Sequence, residues 1–329
     1  MVIVLADAPR LIEVPWAATL TTGEHRLVLY VLVVAVLALT AGFLRSWATR
    51  HEVGPRYRTA VTARLGMLAV ALVTSVLIAA AFLVSYQPSG AGWRPTPQAV
   101  DVFAARYIGW TVSVPLLTVE LLAVCAVVGI RARRTRGIAL VASAAMIFCG
   151  FLGSVVIDEG RNPVSFLLWA GISAVFWLLT TGVLIRAVRA SRGTLTPEAQ
   201  TLLNRATLVL LAGWVIYPVV YLLPLLVGGG AALTVTIVIT LTAADVVIKL
   251  FFSGQIHRVA KLRTAEDVRA GVDVHPESIW ISSVKQSDAG RPREVYLADG
   301  ADVHDRRRMP PGNTATPSAA PDPADEIRL

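Results

Sequence analysis

The sequence predicts an all-α protein in which seven helices cross a membrane as one bundle. Of its 329 residues, 55% are hydrophobic and only 16% are charged, and the mean hydropathy is +0.64. Soluble domains carry roughly 25% charged residues, so this composition is typical of a membrane protein. The net charge of +8 is concentrated in short arginine-rich segments between apolar stretches. This pattern indicates loops at a membrane surface and argues against nucleic-acid binding.

Seven apolar stretches are long enough to span a bilayer, which requires about 20 mostly apolar residues. Lipid offers no hydrogen-bond partners to the backbone, so each stretch is expected to be a helix. The membrane domain is therefore predicted to cover residues 25–253, after an extracellular segment at residues 1–24. The predicted spans are residues 25–45, 60–86, 103–130, 137–157, 163–188, 204–227 and 230–253.

The arginines of the connecting loops predict the orientation of the bundle. The first, third and fifth connections are rich in arginine, whereas the second, fourth and sixth are poor in basic residues. Because basic loops remain in the cytoplasm, we expect the N-terminus outside the cell and the C-terminus inside. The cytoplasmic tail, residues 254–329, is predicted to begin by prolonging the last helix. Its later part is rich in Pro, Ala and charged residues and is predicted to be disordered.

Two cysteines, Cys125 and Cys149, lie within apolar stretches. Neither has the CxxC spacing or the neighbouring histidines of a zinc site. Free cysteines in such positions pack as small apolar residues between helices. The sequence therefore predicts no metal site.

Four ionisable residues lie deep in the apolar stretches, where a charge costs about 2.5–3.5 kcal/mol on insertion scales. The third stretch contains Arg106 and Glu120, and the seventh contains Asp245 and Lys249. Asp245 and Lys249 are four residues apart and therefore lie on one helical face. Two interpretations fit this pair. It is either a structural ion pair, or a reactive lysine that binds a carbonyl-bearing cofactor, with Asp245 balancing the resulting cation.

Three motifs favour the second interpretation. The third stretch contains "ARYIGWTVSVPLLTVELL", the sixth "GWVIYPVVYLLP" and the seventh "DVVIK". In this order and on these helices they resemble the microbial rhodopsins, seven-helix proteins that carry retinal on a lysine of the last helix. The first two stretches match only in hydropathy and topology. The resemblance implies all-trans retinal bound covalently to Lys249 as a protonated Schiff base, in a light-absorbing protein of the plasma membrane that is not an enzyme.

The resemblance also implies which residues surround retinal. A long polyene needs an apolar slot with aromatic walls and few polar groups. Carotenoid-binding members of the family have glycine at the position matched by Trp169, so no carotenoid antenna is expected. The matching positions are Trp110, Leu117, Gly150, Trp169, Ser173, Phe176, Trp214, Tyr217 and Pro218.

The chain departs from the family's outward proton pumps at one position of the third helix. The residue before the tryptophan of the "ARY..W" motif is an aspartate in those pumps, and here it is Gly109. The two other positions that distinguish transport types are Ser113 and Glu120. Glycine can neither accept a proton nor balance a charge. Asp245 is therefore expected to be the only carboxylate facing the cation, with Arg106 near it, and outward pumping is not expected.

Three functions remain open. Schizorhodopsins, which pump protons inward, similarly have an uncharged first residue, then serine and glutamate, although their first residue is bulky. By this resemblance a proton passes Glu120 toward the cytoplasm.

Halorhodopsins also lack the first carboxylate, and a chloride ion fills the vacancy, which Gly109 would leave between Arg106 and Ser113. A photosensor that signals to a partner is the third function. An inward proton pump, assembled as a trimer or pentamer, is the favoured hypothesis.

Overall fold

The computed structural model describes residues 11–90 and 92–271, together with four short strands between residues 279 and 302. Within this described part, seven spans are long and apolar enough to cross a membrane, which confirms the predicted fold class. Helices α6 and α7 together make the sixth span. The helices are α1 (Thr22–Ala48), α2 (Arg58–Ser85), α3 (Asp101–Ala123), α4 (Gly129–Phe151), α5 (Pro163–Ala190), α6 (Pro197–Trp214), α7 (Ile216–Val227) and α8 (Ala231–Arg269).

The remaining elements are short. A hairpin of β1 (Tyr86–Ser89) and β2 (Gly92–Pro95) connects α2 to α3. After α4 the chain makes one π-helical segment, Leu152–Val156, before α5. The further short elements are the 3-10 helices Pro15–Ala17, Pro55–Tyr57, Pro97–Val100 and Ile157–Gly160, and the strands β3 (Ile279–Ile281), β4 (Val284–Gln286), β5 (Tyr296–Ala298) and β6 (Ala301–Asp302).

The boundary between the third and fourth spans differs from the prediction. Helix α3 ends at Ala123, not at residue 130, and α4 begins at Gly129, not at residue 137. The arginine-rich segment 131–136, predicted to be a loop, is the first part of α4. Arginine is a good helix former, so a helix continues beyond the apolar residues into water. Hydropathy alone marks the membrane boundary but not the end of the helix.

The sixth span is interrupted at Val215, where α6 ends and α7 begins. Pro218 lies four residues after Trp214. A proline has no backbone N–H to donate to the carbonyl four residues earlier, and its ring clashes with that carbonyl. The proline of the "YPVVY" motif therefore explains why the span breaks beside Trp214.

The two helices that carry Arg106, Glu120, Asp245 and Lys249 are the most buried. In their most apolar windows, 56% of the α3 residues and 50% of the α8 residues are buried, against 28% or less for the other spans. The outer faces of those other spans expose large apolar side chains such as Leu37, Leu77 and Val175. A bundle with an apolar exterior and charges at its centre is suited to lipid, not to water.

The segment before α1 is folded against the bundle. Its even-numbered residues from Ile12 to Leu20 are buried, and the backbone of Leu20 pairs with that of Trp93 in β2. Thr21 then caps α1: its backbone N–H donates to Glu24 Oε2 (2.8 Å), and its Oγ1 accepts from the backbone N–H of Glu24 (3.2 Å). This reciprocal capping box begins the first span.

A second compact unit comprises residues 50–56 and the chain from residue 260 onward. Lys261 Nζ lies 3.0 Å from Glu52 Oε2, and Thr264 Oγ1 accepts from the backbone N–H of Gly54 (3.0 Å). Helix α8 continues to Arg269, while the division of the chain into a membrane domain and a cytoplasmic tail stays a prediction. Apart from strands β3 to β6, the predicted disordered part lies outside the described residues.

Candidate functional site

Asp245 and Lys249 form an ion pair inside the bundle. Lys249 Nζ lies 3.1 Å from Asp245 Oδ1, and the two side chains are only 6% and 14% exposed. Their spacing of four residues on α8 brings them together, as the sequence predicts. A lysine amine and a carboxylate are therefore in contact with each other in the apolar interior of the bundle.

Three other side chains also contact the Asp245 carboxylate. Trp110 Nε1 lies 2.9 Å from each carboxylate oxygen, and the Tyr217 hydroxyl donates to Oδ1 at 3.0 Å. Arg106 Nη1 lies 3.6 Å from Oδ2, and Arg106 also donates to Thr242 Oγ1 at 3.1 Å. Donors from α3, α7 and α8 therefore hold the carboxylate in one orientation.

A cavity of about 480 Å³ lies next to this cluster. Arg106, Trp110 and Tyr217, which contact Asp245, are also part of its wall. Trp16 and Val14 of the segment before α1 contribute to the wall as well, which the sequence analysis did not foresee. Six of the residues predicted to bind retinal line the cavity: Trp110, Gly150, Ser173, Trp214, Tyr217 and Pro218.

The other four predicted retinal contacts, Lys249, Leu117, Trp169 and Phe176, are not among the lining residues. Lys249 contacts Asp245, whose partners Arg106, Trp110 and Tyr217 line the cavity. The cavity wall from α5 includes Gly171, Ala174 and Trp177, whereas the Trp169 side chain packs against Gly153. The expected absence of an antenna rested on Trp169 and stays a prediction. On α5 the tryptophan that lines the cavity is Trp177, with Gly171 and Ala174 nearby, and not Trp169.

Gly109 does not leave the vacancy that the sequence predicts. A Cβ added at this position would come within 2.8 Å of Thr74 Cβ and 2.5 Å of Thr74 Cγ2. Thr74, on α2, therefore occupies the space that a side chain at position 109 would take. Ser113, one turn further along α3, is fully buried, and its Oγ finds no hydrogen-bond partner within the described part of the chain.

Glu120 lies on the same buried face of α3, away from the Asp245 cluster. Its side chain is fully buried, and the Ser253 hydroxyl donates to its Oε2 at 2.8 Å. Its Oε1 has no partner among the described residues. Ser253 lies one turn after Lys249 on α8. Its hydrogen bond to Glu120 therefore joins α8 to α3 one turn away from the lysine.

Arg64 is a buried cation on α2 that the sequence analysis missed. It is 6% exposed, and its Nε donates to Ser46 Oγ at 2.7 Å. It interacts electrostatically with Glu120. A usable signal was present, because an arginine lies inside the apolar stretch predicted at residues 60–86. Thr74 and Ser253 carried no such signal, since single hydroxyl residues are common in membrane helices.

The chain matches known proteins in sequence and in fold. The family described as "Bacteriorhodopsin-like protein" matches residues 26–261. The green-light absorbing proteorhodopsin of Gamma-proteobacterium EBAC31A08 is 28% identical over 229 residues, which cover 69% of this chain and 82% of that protein. The bacteriorhodopsin-II-like protein of Haloquadratum walsbyi is 25% identical over 181 residues, covering 55% of this chain and 68% of that protein.

Solved structures give the same result. Thermophilic rhodopsin shares 28% identity and a TM-score of 0.68, over 76% of this chain and 98% of that one. Xanthorhodopsin, described as a light-driven ion pump with a dual chromophore, shares 26% identity and a TM-score of 0.69, over 77% of this chain and 99% of that one. The chain therefore belongs to the bacteriorhodopsin-like family of microbial rhodopsins, which makes it a retinal-binding, multi-pass protein of the plasma membrane and not an enzyme.

Proposed function

We propose that the protein is a light-driven pump that carries protons into the cell. The observation that supports this direction most strongly is the placement of carboxylates inside the bundle. Asp245 lies beside the lysine amine, and Glu120 is buried further along α3. The position between Arg106 and Ser113 that holds the acceptor in outward pumps is Gly109, covered by Thr74.

The residues around the cavity fit retinal. A volume of about 480 Å³ lies within the range of pockets for small organic ligands, and such pockets are mostly apolar and aromatic. Trp110, Trp214 and Tyr217 supply aromatic walls. Lys249 is the residue that would hold retinal covalently through its Nζ, because a buried lysine amine is a competent nucleophile toward a carbonyl. When bound, retinal supplies the absorption of visible light and a light-driven isomerisation.

Asp245 is suited to stabilise a positive charge at Lys249 Nζ. Lys249 Nζ and Asp245 Oδ1 are 3.1 Å apart, and opposite charges attract each other strongly at this distance in an apolar interior. Trp110 and Tyr217 hold the carboxylate so that it does not rotate away from the amine. Loss of Asp245 would leave a buried cation without a carboxylate partner.

Glu120 is suited to receive the proton that leaves Lys249 Nζ. The free Oε1 of Glu120 can accept a proton, while Ser253 holds Oε2. Glu120 would then pass the proton to the cytoplasm, and the amine would regain one from the Arg106 side.

Anion transport and light sensing are the competing functions. Chloride uptake needs room for an ion beside the amine, and Thr74 occupies the space at Gly109 that the sequence suggested for it. Arg106 and Ser113 nonetheless offer donors on that face. A sensor needs neither a proton acceptor nor an ion site, so the buried, hydrogen-bonded Glu120 is better explained by proton transfer. Assembly as a trimer or pentamer stays a prediction.

The sign of the light-driven pH change in a suspension of expressing cells tests the proposal. We expect the medium to become alkaline in light and a protonophore to abolish the change. Alkalinisation that the protonophore enhances and that requires chloride would establish anion uptake instead. Acidification would mean outward pumping, and the absence of any change would favour a sensor.

A further inference from the structure

Thr74 and Gly109 form a sterically matched pair between α2 and α3. All three heavy atoms of the Thr74 side chain lie within 2.8 Å of the place where a Cβ of residue 109 would be. Cβ atoms in proteins do not approach other atoms this closely, because packed interiors leave no room for such overlap. Any side chain at position 109 therefore requires Thr74 to move or to be smaller.

The pair lies on the face of α3 that reaches the lysine. Arg106, Gly109 and Ser113 are spaced by three and four residues, so they follow one another along one side of the helix. Arg106 and the neighbouring Trp110 both contact Asp245. Thr74 therefore packs against α3 at Gly109, between the positions of Arg106 and Ser113 along that helix.

This face has donors for an anion but lacks the space for one. The Arg106 guanidinium is 4% exposed, and Ser113 Oγ is buried with no partner in the described part of the chain. Charged and hydroxyl donors of this kind bind anions in protein interiors. The volume between them, at Gly109, is filled by the Thr74 methyl and hydroxyl groups.

We propose that Thr74 is a specificity-determining residue, whose side chain excludes a halide ion from the space beside Gly109 and leaves Asp245 as the single counterion of Lys249. This inference rests on the proposed roles of Lys249 and Asp245. Under this proposal, a residue of α2 determines the selectivity for protons over anions. None of the contacts to Asp245 described above comes from α2. The volume of the side chain, and not its hydroxyl group, carries the effect.

The test compares absorption spectra of purified, retinal-loaded variants with sodium chloride or with sodium gluconate at equal ionic strength. Thr74→Ala removes the methyl and hydroxyl groups, and Thr74→Val keeps the volume without the hydroxyl. Thr62→Ala is the matched control, because Thr62 lies on the exposed side of α2 and donates only to the backbone carbonyl of Arg58. Each variant is prepared alone and together with Asp245→Asn.

We expect chloride to shift the absorption maximum of Thr74→Ala and to leave the wild type, Thr74→Val and Thr62→Ala unchanged. In the Asp245→Asn background, chloride should restore a visible band only when Thr74→Ala is also present. A chloride response as large in the wild type as in Thr74→Ala would overturn the proposal. So would a Thr74→Ala protein that binds retinal and ignores chloride, or a Thr74→Val protein that responds like Thr74→Ala.

The outcome separates this inference from the proposed function. If Asp245→Asn alone keeps its visible band in gluconate, Asp245 is not the counterion and the proposed function loses its basis. The response of Thr74→Ala to chloride, measured with Asp245 intact, still decides whether Thr74 excludes a halide.

Discussion

Asp245 and Glu120 are both carboxylates inside the bundle, but their surroundings differ. Asp245 is contacted by four side chains, of Arg106, Trp110, Tyr217 and Lys249. Glu120 accepts one hydrogen bond, from Ser253, and its second oxygen has no partner among the described residues. A carboxylate with many donors is held in one orientation, whereas Glu120 keeps one oxygen without a partner among the described residues, as the proposed proton transfer requires.

This difference assigns distinct tasks to the two regions. The Asp245 cluster combines two cations, one carboxylate and two aromatic donors, so both cations share a single negative charge. Glu120, in contrast, is fully buried with one hydrogen-bond donor, Ser253, among the described residues. We therefore expect substitutions near Asp245 to change the colour of the protein and substitutions near Glu120 to change transport.

The largest effect is expected from Lys249→Ala. Without the amine there is no covalent attachment for retinal, so the visible band should be absent after incubation with retinal. Lys261→Ala is the matched control on α8, because Lys261 pairs with Glu52 in the second unit and should leave the colour intact. A visible band that persists in Lys249→Ala would show that retinal is attached elsewhere.

Asp245→Asn should produce the next largest effect. The asparagine keeps the shape and removes the charge, so the cation at Lys249 loses its only carboxylate neighbour within the described structure. We expect the absorbance to move to the near-ultraviolet at neutral pH and light-driven proton movement to stop. An unchanged spectrum would mean that an anion or another acid balances the cation.

Glu120→Gln tests the other region. It should leave the absorption maximum unchanged and slow proton transfer by about 10²-fold, the lower end for a group that transfers a proton directly. Ser253→Ala removes one hydrogen bond, worth about 1 kcal/mol, and should slow the same step roughly five-fold. Flash photolysis with a pH-sensitive dye measures both rates. Normal rates in Glu120→Gln would remove Glu120 from the proton path.

Gly109→Ala should have the smallest effect on function and a measurable effect on stability. The added methyl group overlaps Thr74, and overpacking of this kind costs about 1–3 kcal/mol. Thermal loss of the visible band should occur at lower temperature in Gly109→Ala and recover in the double variant with Thr74→Ala. Additive effects of the two substitutions would contradict the packing of Thr74 against Gly109.

The sequence contains a signal that the segment before α1 packs against the bundle. Apolar residues recur at every second position at Ile12, Val14 and Trp16, and Leu20 follows the polar Thr19. Alternation of this kind indicates a segment with one buried face, and these four residues are buried. Hydropathy predicts residues 1–24 only as an extracellular segment. That Trp16 lines the cavity depends on where this segment docks, which the alternation does not reveal.

The sequence by itself determined the features that depend on near neighbours in the chain. Hydropathy over about 20 residues marks a membrane span, and a spacing of four residues brings Asp245 and Lys249 to one helical face. Only the tertiary structure decided which side chains from different helices meet. Thr74 reaches Gly109, and Ser253 reaches Glu120, because of how far each helix is shifted and rotated against its neighbour. That register results from the packing of many side chains at once, so no local pattern encodes it.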